Sequence, residues 1–143
     1  MLVMKDVIIK EQILKHSIDA VWNAISKQDE ISTWFIKADF LPEQGYAYTF
    51  KSEGENCTEI TGIVKEADPY TLIYTWVVQD THVETVVKWQ LEEAEQGTKL
   101  YLEHSGISNY SGDTAVKLFQ SFDGGWDRCI VDLSKYLNQE VHA

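Results

Sequence analysis

The chain has 143 residues, of which 44% are apolar and 12% aromatic, enough to build one domain over residues 1–143 around a sizeable core and too apolar for intrinsic disorder. Its formal charge of −11 excludes the basic stripe that nucleic-acid binding needs, disfavours anionic membrane surfaces, and is most simply a solubility feature. Two widely separated cysteines, no signal-peptide order at the amino terminus and no apolar run of membrane-spanning length point to a cytoplasmic protein without a disulfide framework or membrane insertion.

Val7 to Lys15 is rich in Ile and reads as a first strand. Its inward face stays open, because Ile9 and Ile13 share one side with Glu11 while Ile8 shares the other with Lys10 and Gln12. Ser17 is an N-cap candidate and Asp19 suits the first turn of a helix whose apolar side is Val21, Trp22 and Ile25. Ile31, Trp34 and Phe35 suggest a second short helix.

Pro42 and Gly45 punctuate a turn, after which Tyr46, Tyr48 and Phe50 alternate with Ala47, Thr49 and Lys51 as a strand. Ser52 to Asn56 reads as a polar loop with Gly54, and Cys57 to Glu66 as the next strand, with Ile60, Gly62 and Val64 on one side. Ala67 to Tyr70 is a turn around Pro69, and Thr71 to Val78 is a β-branched and aromatic strand. Val83, Thr85, Val87, Trp89 and Leu91 share one face of another. An acidic turn, Glu93 to Gly97, leads to a last strand with Leu100, Leu102 and His104 on one face. The loop Ser105 to Gly112 follows.

From Asp113 to Leu137, apolar residues recur at steps of three and four: Ala115, Leu118, Phe119, Phe122, Trp126, Cys129, Ile130, Leu133 and Leu137. This is the stripe of a long amphipathic helix. Gly124 and Gly125 interrupt it, the first toward solvent and the second at the flank of the stripe. They mark a kink, a point of close approach or a tolerated weakness. The pattern is therefore strand, two helices, five strands and a long helix, with an antiparallel sheet whose apolar face needs that helix as its cover.

The segments Ala20-Val21-Trp22-Asn23-Ala24-Ile25, Ile31-Ser32-Thr33-Trp34-Phe35 and Gly125-Trp126-Asp127-Arg128-Cys129-Ile130, continuing to Tyr136-Leu137, resemble the START-like (SRPBCC) superfamily, and within it the branch named for the activator of the heat-shock-protein-90 ATPase. The resemblance covers nearly the whole chain. It implies an α+β helix-grip fold of the START or Bet v 1-like kind, a curved six-stranded antiparallel sheet around the long helix, with a cavity between them for lipid-like, aromatic or polyketide-like small molecules. The co-chaperones that give the branch its name carry an additional amino-terminal domain for which this chain has no room.

On that reading the cavity is lined by Trp34, Phe35, Phe40, Tyr48, Phe50, Trp76, Thr85, Val87, Trp89, Leu102, His104, Phe122, Trp126, Cys129, Ile130 and Leu133, with Phe35 to Leu41 and Ser105 to Gly112 as rims. The bland alternative is that these large side chains fill the core. His104 is either a satisfied strand-end histidine, a donor to a ligand oxygen, or the acid–base of a cyclase- or hydrolase-type enzyme. No H-E-x-x-H, P-loop or G-x-S-x-G is present, and His16, His82, His104 and His142 have no ligand spacing, so neither metal nor cofactor is expected. The leading expectation is a binder of an apolar small molecule. A chaperone cofactor or interaction module using the acidic surface is the second, and an enzyme using His104 the third.

Overall fold

The computed structural model describes residues 7–52, 58–110 and 112–140. In chain order the elements are β1 (Ile8–Leu14), α1 (Ile18–Ser26), α2 (Gln28–Trp34), β2 (Lys37–Asp39), β3 (Ala47–Lys51), β4 (Glu59–Asp68), β5 (Thr71–Val78), β6 (Glu84–Ala94), β7 (Gly97–Ser105), a 3-10 turn (Ile107–Asn109) and α3 (Gly112–Glu140). The strands form one antiparallel sheet in the order β1-β7-β6-β5-β4-β3-β2. Six strands were expected and seven are found. The additional one is β2, three residues that pair with β3 through Lys37↔Lys51, Ala38↔Phe50 and Asp39↔Thr49. It is too short and too polar to show alternation.

The two short helices follow the first strand as expected. The Ser17 side chain accepts from the Ala20 amide at 3.2 Å, capping α1. The β6–β7 turn contracts to Glu95-Gln96, because Ala94 already pairs with Gly97. Gly97 has φ +145 and lies against the Leu14 carbonyl and the His16 amide, where a Cβ would not fit. The expected loop Ser52 to Asn56 falls mainly outside the described residues, as does Cys57.

Alternation holds on the inner face. Tyr48, Phe50, Val64, Thr85, Val87, Trp89, Leu91, Leu100, Leu102 and His104 are all buried. For β1 the sheet resolves the open choice. Ile8 and Leu14 are buried, while Ile9 and Ile13 face solvent. Lys10 is therefore on the inner side, where its ammonium meets Asp123 at 2.6 Å and Asp127 at 2.9 Å, both on α3. Burial alone would lower the Lys10 pKa, but the hydrogen bonds and charges of these two carboxylates hold it above its ordinary value.

Helix α3 lies against β1, the 3-10 turn and both short helices. Its buried residues, Ala115, Trp126, Cys129, Ile130, Leu133 and Leu137, are those of the apolar stripe. Burial of Ile130, Leu133 and Leu137 contributes roughly 1.5–3 kcal/mol each. No described helix is long and apolar enough to cross a membrane.

Candidate functional site

Three adjacent strands and α3 meet around His104. Trp76 of β5 is the cross-strand partner of Thr85 on β6, and His104 on β7 is the partner of Val87. From α3, Phe122 stacks on the His104 ring at 4.7 Å, and Trp126, one turn on, presents its indole edge. Trp126 Nε1 donates to His104 Nδ1 at 2.9 Å, and His104 Nε2 lies 2.7 Å from Thr85 Oγ1. An indole N–H can only donate, so Nδ1 bears no proton and the ring is the Nε2–H tautomer. It donates to Thr85, whose own hydroxyl donates to the Trp76 carbonyl at 3.1 Å. The chain of donors closes without a gap. Burial pulls the His104 pKa from 6.5 down to about 4, in keeping with a neutral ring. Both nitrogens are engaged by protein, so this histidine has no free position for a substrate proton.

Beside this network, at the seam between sheet and helix, lies a recess of about 250 Å³ lined by Phe35, Ile36, Ile60, Trp76, Ser121, Phe122, Gly125 and Trp126. Ser121, Phe122, Gly125 and Trp126 are one face of α3, and Gly125 opens a wall there by having no side chain. Half of the lining residues are aromatic, with Phe35 6.2 Å from Trp126 and Trp76 5.3 Å from Trp126. The Trp76 side chain is buried, and its Nε1–H has no hydrogen-bond partner among the described residues. An orphan donor of this kind costs about 1–3 kcal/mol relative to a paired one.

Of the expected lining residues, Phe35, Trp76, Phe122 and Trp126 border this recess. The others lie deeper or elsewhere. Phe40, Tyr48 and Phe50 form a continuous aromatic cluster with Tyr74, and Tyr48 donates to the Thr75 carbonyl at 2.5 Å. Trp89 is turned to Tyr74, donating to its hydroxyl at 2.9 Å. Val87 and Leu102 are buried on the sheet, and Cys129, Ile130 and Leu133 on the inward side of α3. Burial raises the Cys129 thiol well above its ordinary pKa and keeps it an inert thiol. Trp34 stacks on Phe35 at 5.2 Å and donates to the Ala24 carbonyl, which ties α2 to α1. Thr85 serves His104. Ile36, Ile60, Ser121 and Gly125 were not in the expected set. Only Gly125 had a sequence signal, its place at the flank of the stripe.

Of the expected rims, Phe35 and Ile36 do border the recess, whereas residues 105–110 do not. Ile107 and Tyr110 are buried, which fastens that loop to the body. Among the described residues no group of His, Cys, Asp and Glu could hold a metal ion.

A seven-stranded antiparallel sheet with two short helices after its first strand and a long carboxy-terminal helix across it is the helix-grip architecture of START-like proteins. The family model described as activator of Hsp90 ATPase homolog 1-like protein matches residues 15–138, and the chain belongs to that family. The fold is similar to that of protein MLL2253 from Mesorhizobium loti, with a TM-score of 0.82 at 23% identity over 93% of this chain and 97% of that one. The solution structure of BH1534 from Bacillus halodurans superposes with a TM-score of 0.74 at 26% identity, over 92% and 96% of the two chains. DynU16, a protein in the dynemicin biosynthetic locus, gives 0.79 at 19% identity, over 94% of this chain but 48% of its own, so the present chain spans about half of it. No curated protein sequence matches significantly.

Proposed function

We propose that the chain binds an apolar small molecule, aromatic, lipid-like or polyketide-like in character, in the recess between the sheet and α3. The observation that carries this reading is the recess of about 250 Å³ at the seam between sheet and helix, walled by Phe35, Trp76, Phe122 and Trp126. Concave, mostly apolar walls are the ordinary make-up of a small-molecule site. The shared fold of a protein from the dynemicin biosynthetic locus is in keeping with a small-molecule role. A catalytic role for His104 draws no support from a ring whose two nitrogens are both occupied.

Mixed apolar compounds screened by tryptophan fluorescence and by amide and indole shifts test this. Binding should move the indole N–H signals of Trp76 and Trp126 and the amides of Ser121 and Gly125. Shifts confined to the acidic outer surface would instead favour a protein-interaction role.

A further inference from the structure

The recess at the seam is small and carries no charge. Its volume of about 250 Å³ lies below the roughly 300–1,000 Å³ of sites for drug-sized ligands. Filled at about 0.55–0.75, between the packing of an organic liquid and that of a crystal, it takes about 140–190 Å³ of molecule. Two fused aromatic rings with one small substituent occupy that much. A longer body leaves its surplus apolar surface in water and gains nothing from it. Flat rings also suit the walls, because Phe35 at the end of α2, Trp76 on β5 and Phe122 and Trp126 on α3 bring aromatic side chains from three elements.

None of the lining residues is ionisable. Lys37, which follows Ile36 in the chain, does not alter this. It pairs with Lys51 on strands whose inward residues are the neighbouring Ala38 and Phe50, so its side chain leaves on the other face of the sheet. A carboxylate moved into the recess would give up its water and meet no cation, in a chain with 23 acidic residues against 12 basic ones.

The polar groups of the lining reduce to one. The Trp126 N–H is spent on His104, and the Trp76 N–H is sealed in the interior. Ser121 differs from both. It is exposed on α3, one turn before Gly125, and its Oγ makes no hydrogen bond among the described residues. It lacks even the bond back to the preceding turn that helical serines often make.

We infer that the recess selects a neutral bicyclic aromatic compound with one hydroxyl or carbonyl group, its rings between Trp76, Phe122 and Trp126 and its oxygen at the mouth on Ser121 Oγ. This rests on the reading that the recess holds an apolar small molecule. A serine hydroxyl both donates and accepts, so it meets either kind of oxygen. The rings supply the affinity, and Ser121 chooses which edge of the ligand faces out.

The test titrates naphthalene, naphthol, naphthoate and the four-ring phenol estradiol into the full chain, followed by calorimetry and by indole and amide shifts. The same titrations are run on Ser121→Ala. Ser121 is exposed and alanine is the better helix former, so the variant keeps its fold. Naphthol should bind about fivefold more tightly than naphthalene, as one neutral hydrogen bond at a mouth allows. In Ser121→Ala that advantage should vanish while naphthalene binds as before. Naphthoate should bind about tenfold or more weakly than naphthol, and estradiol no more tightly than naphthol. Equal binding of naphthol and naphthalene, or an advantage that survives in the variant, overturns the role of Ser121 and leaves the recess standing. Naphthoate matching naphthol, or estradiol exceeding it, overturns the ligand class in the same way. If no probe moves the indole signals of Trp76 and Trp126, the recess reading falls and the inference with it.

Discussion

The indole N–H of Trp126 donates to Nδ1 of His104 across the seam between α3 and β7, at 2.9 Å. One hydrogen bond therefore sets both the docking of the helix and the tautomer of the histidine. Removing the donor while keeping the ring size close separates these effects. Trp126→Phe should cost about 1–3 kcal/mol, because Nδ1 is then buried without a donor. Urea unfolding measures the loss, and ¹⁵N shifts of His104 should show the fixed tautomer giving way to a mixture. An unchanged stability would mean that the hydrogen bond is not formed in solution.

Stability should depend on pH through the same ring. In the unfolded chain His104 protonates near 6.5, and in the fold near 4 because burial disfavours the charged form. Between those values the unfolded state binds more protons, so stability rises with pH. The contribution is fully present above 6.5 and is lost as pH falls toward 4, amounting to about 3 kcal/mol at most. Unfolding curves at both ends of that window, compared with those of His104→Gln, isolate this share from the carboxylates. The variant should show the shallower dependence.

Two glycines should respond in opposite directions to alanine. At Gly62 a Cβ would overlap the Thr75 carbonyl oxygen and press on the Tyr48 ring, with backbone on one side and a buried aromatic on the other. Gly62→Ala should destabilise by about 2 kcal/mol or more. At Gly124, inside α3, a Cβ meets nothing within 4 Å. Gly124→Ala should stabilise by about 1 kcal/mol through helix propensity alone. Thermal melts of the two variants check both signs.

Gly125→Ala separates stability from binding. It too meets nothing within 4 Å, so the helix gains as at Gly124. Yet Gly125 lines the recess, and a methyl group there narrows it. The variant should melt higher and bind recess ligands more weakly, whereas Gly124→Ala should leave binding alone. Matching affinities in the two variants would place the ligand elsewhere.

The bridge from Lys10 to Asp123 and Asp127 joins the edge strand to the middle of α3. The carboxylates are partly exposed, so solvent discounts the pair. Lys10→Met should cost about 1 kcal/mol or less, and the difference from wild type should shrink in high salt. Paired denaturation curves at low and high ionic strength would show it.

Where a strand has a long inner face, alternation places its residues correctly, as it does for Thr85 to Leu91 and for Leu100 to His104. It fails where the deciding contact is distant in sequence. On β1 the inward side carries Lys10, whose partners sit more than a hundred residues later on α3, and no local pattern weighs that against the exposed Ile9 and Ile13. The strand Lys37–Asp39 is likewise defined by pairing with β3, not by its own composition. The aromatic residues indicate where apolar mass lies but not where it stops. Tyr48, Phe50 and Trp89 fill space in contact with Tyr74, while a half-buried edge made by Ile36, Ile60 and the missing side chain of Gly125 leaves the hollow. Which rings touch and which leave a gap depends on side-chain geometry that spacing does not encode.

The pairing of Ile8 with His104 has a consequence for assembly. The first strand of this sheet takes its place only after the last of its strands has been made, so β1 stays unpaired until β7 is available. Loop closure over that span makes its docking a late and slow event, and until it happens the edge of β7 stands open to any passing strand.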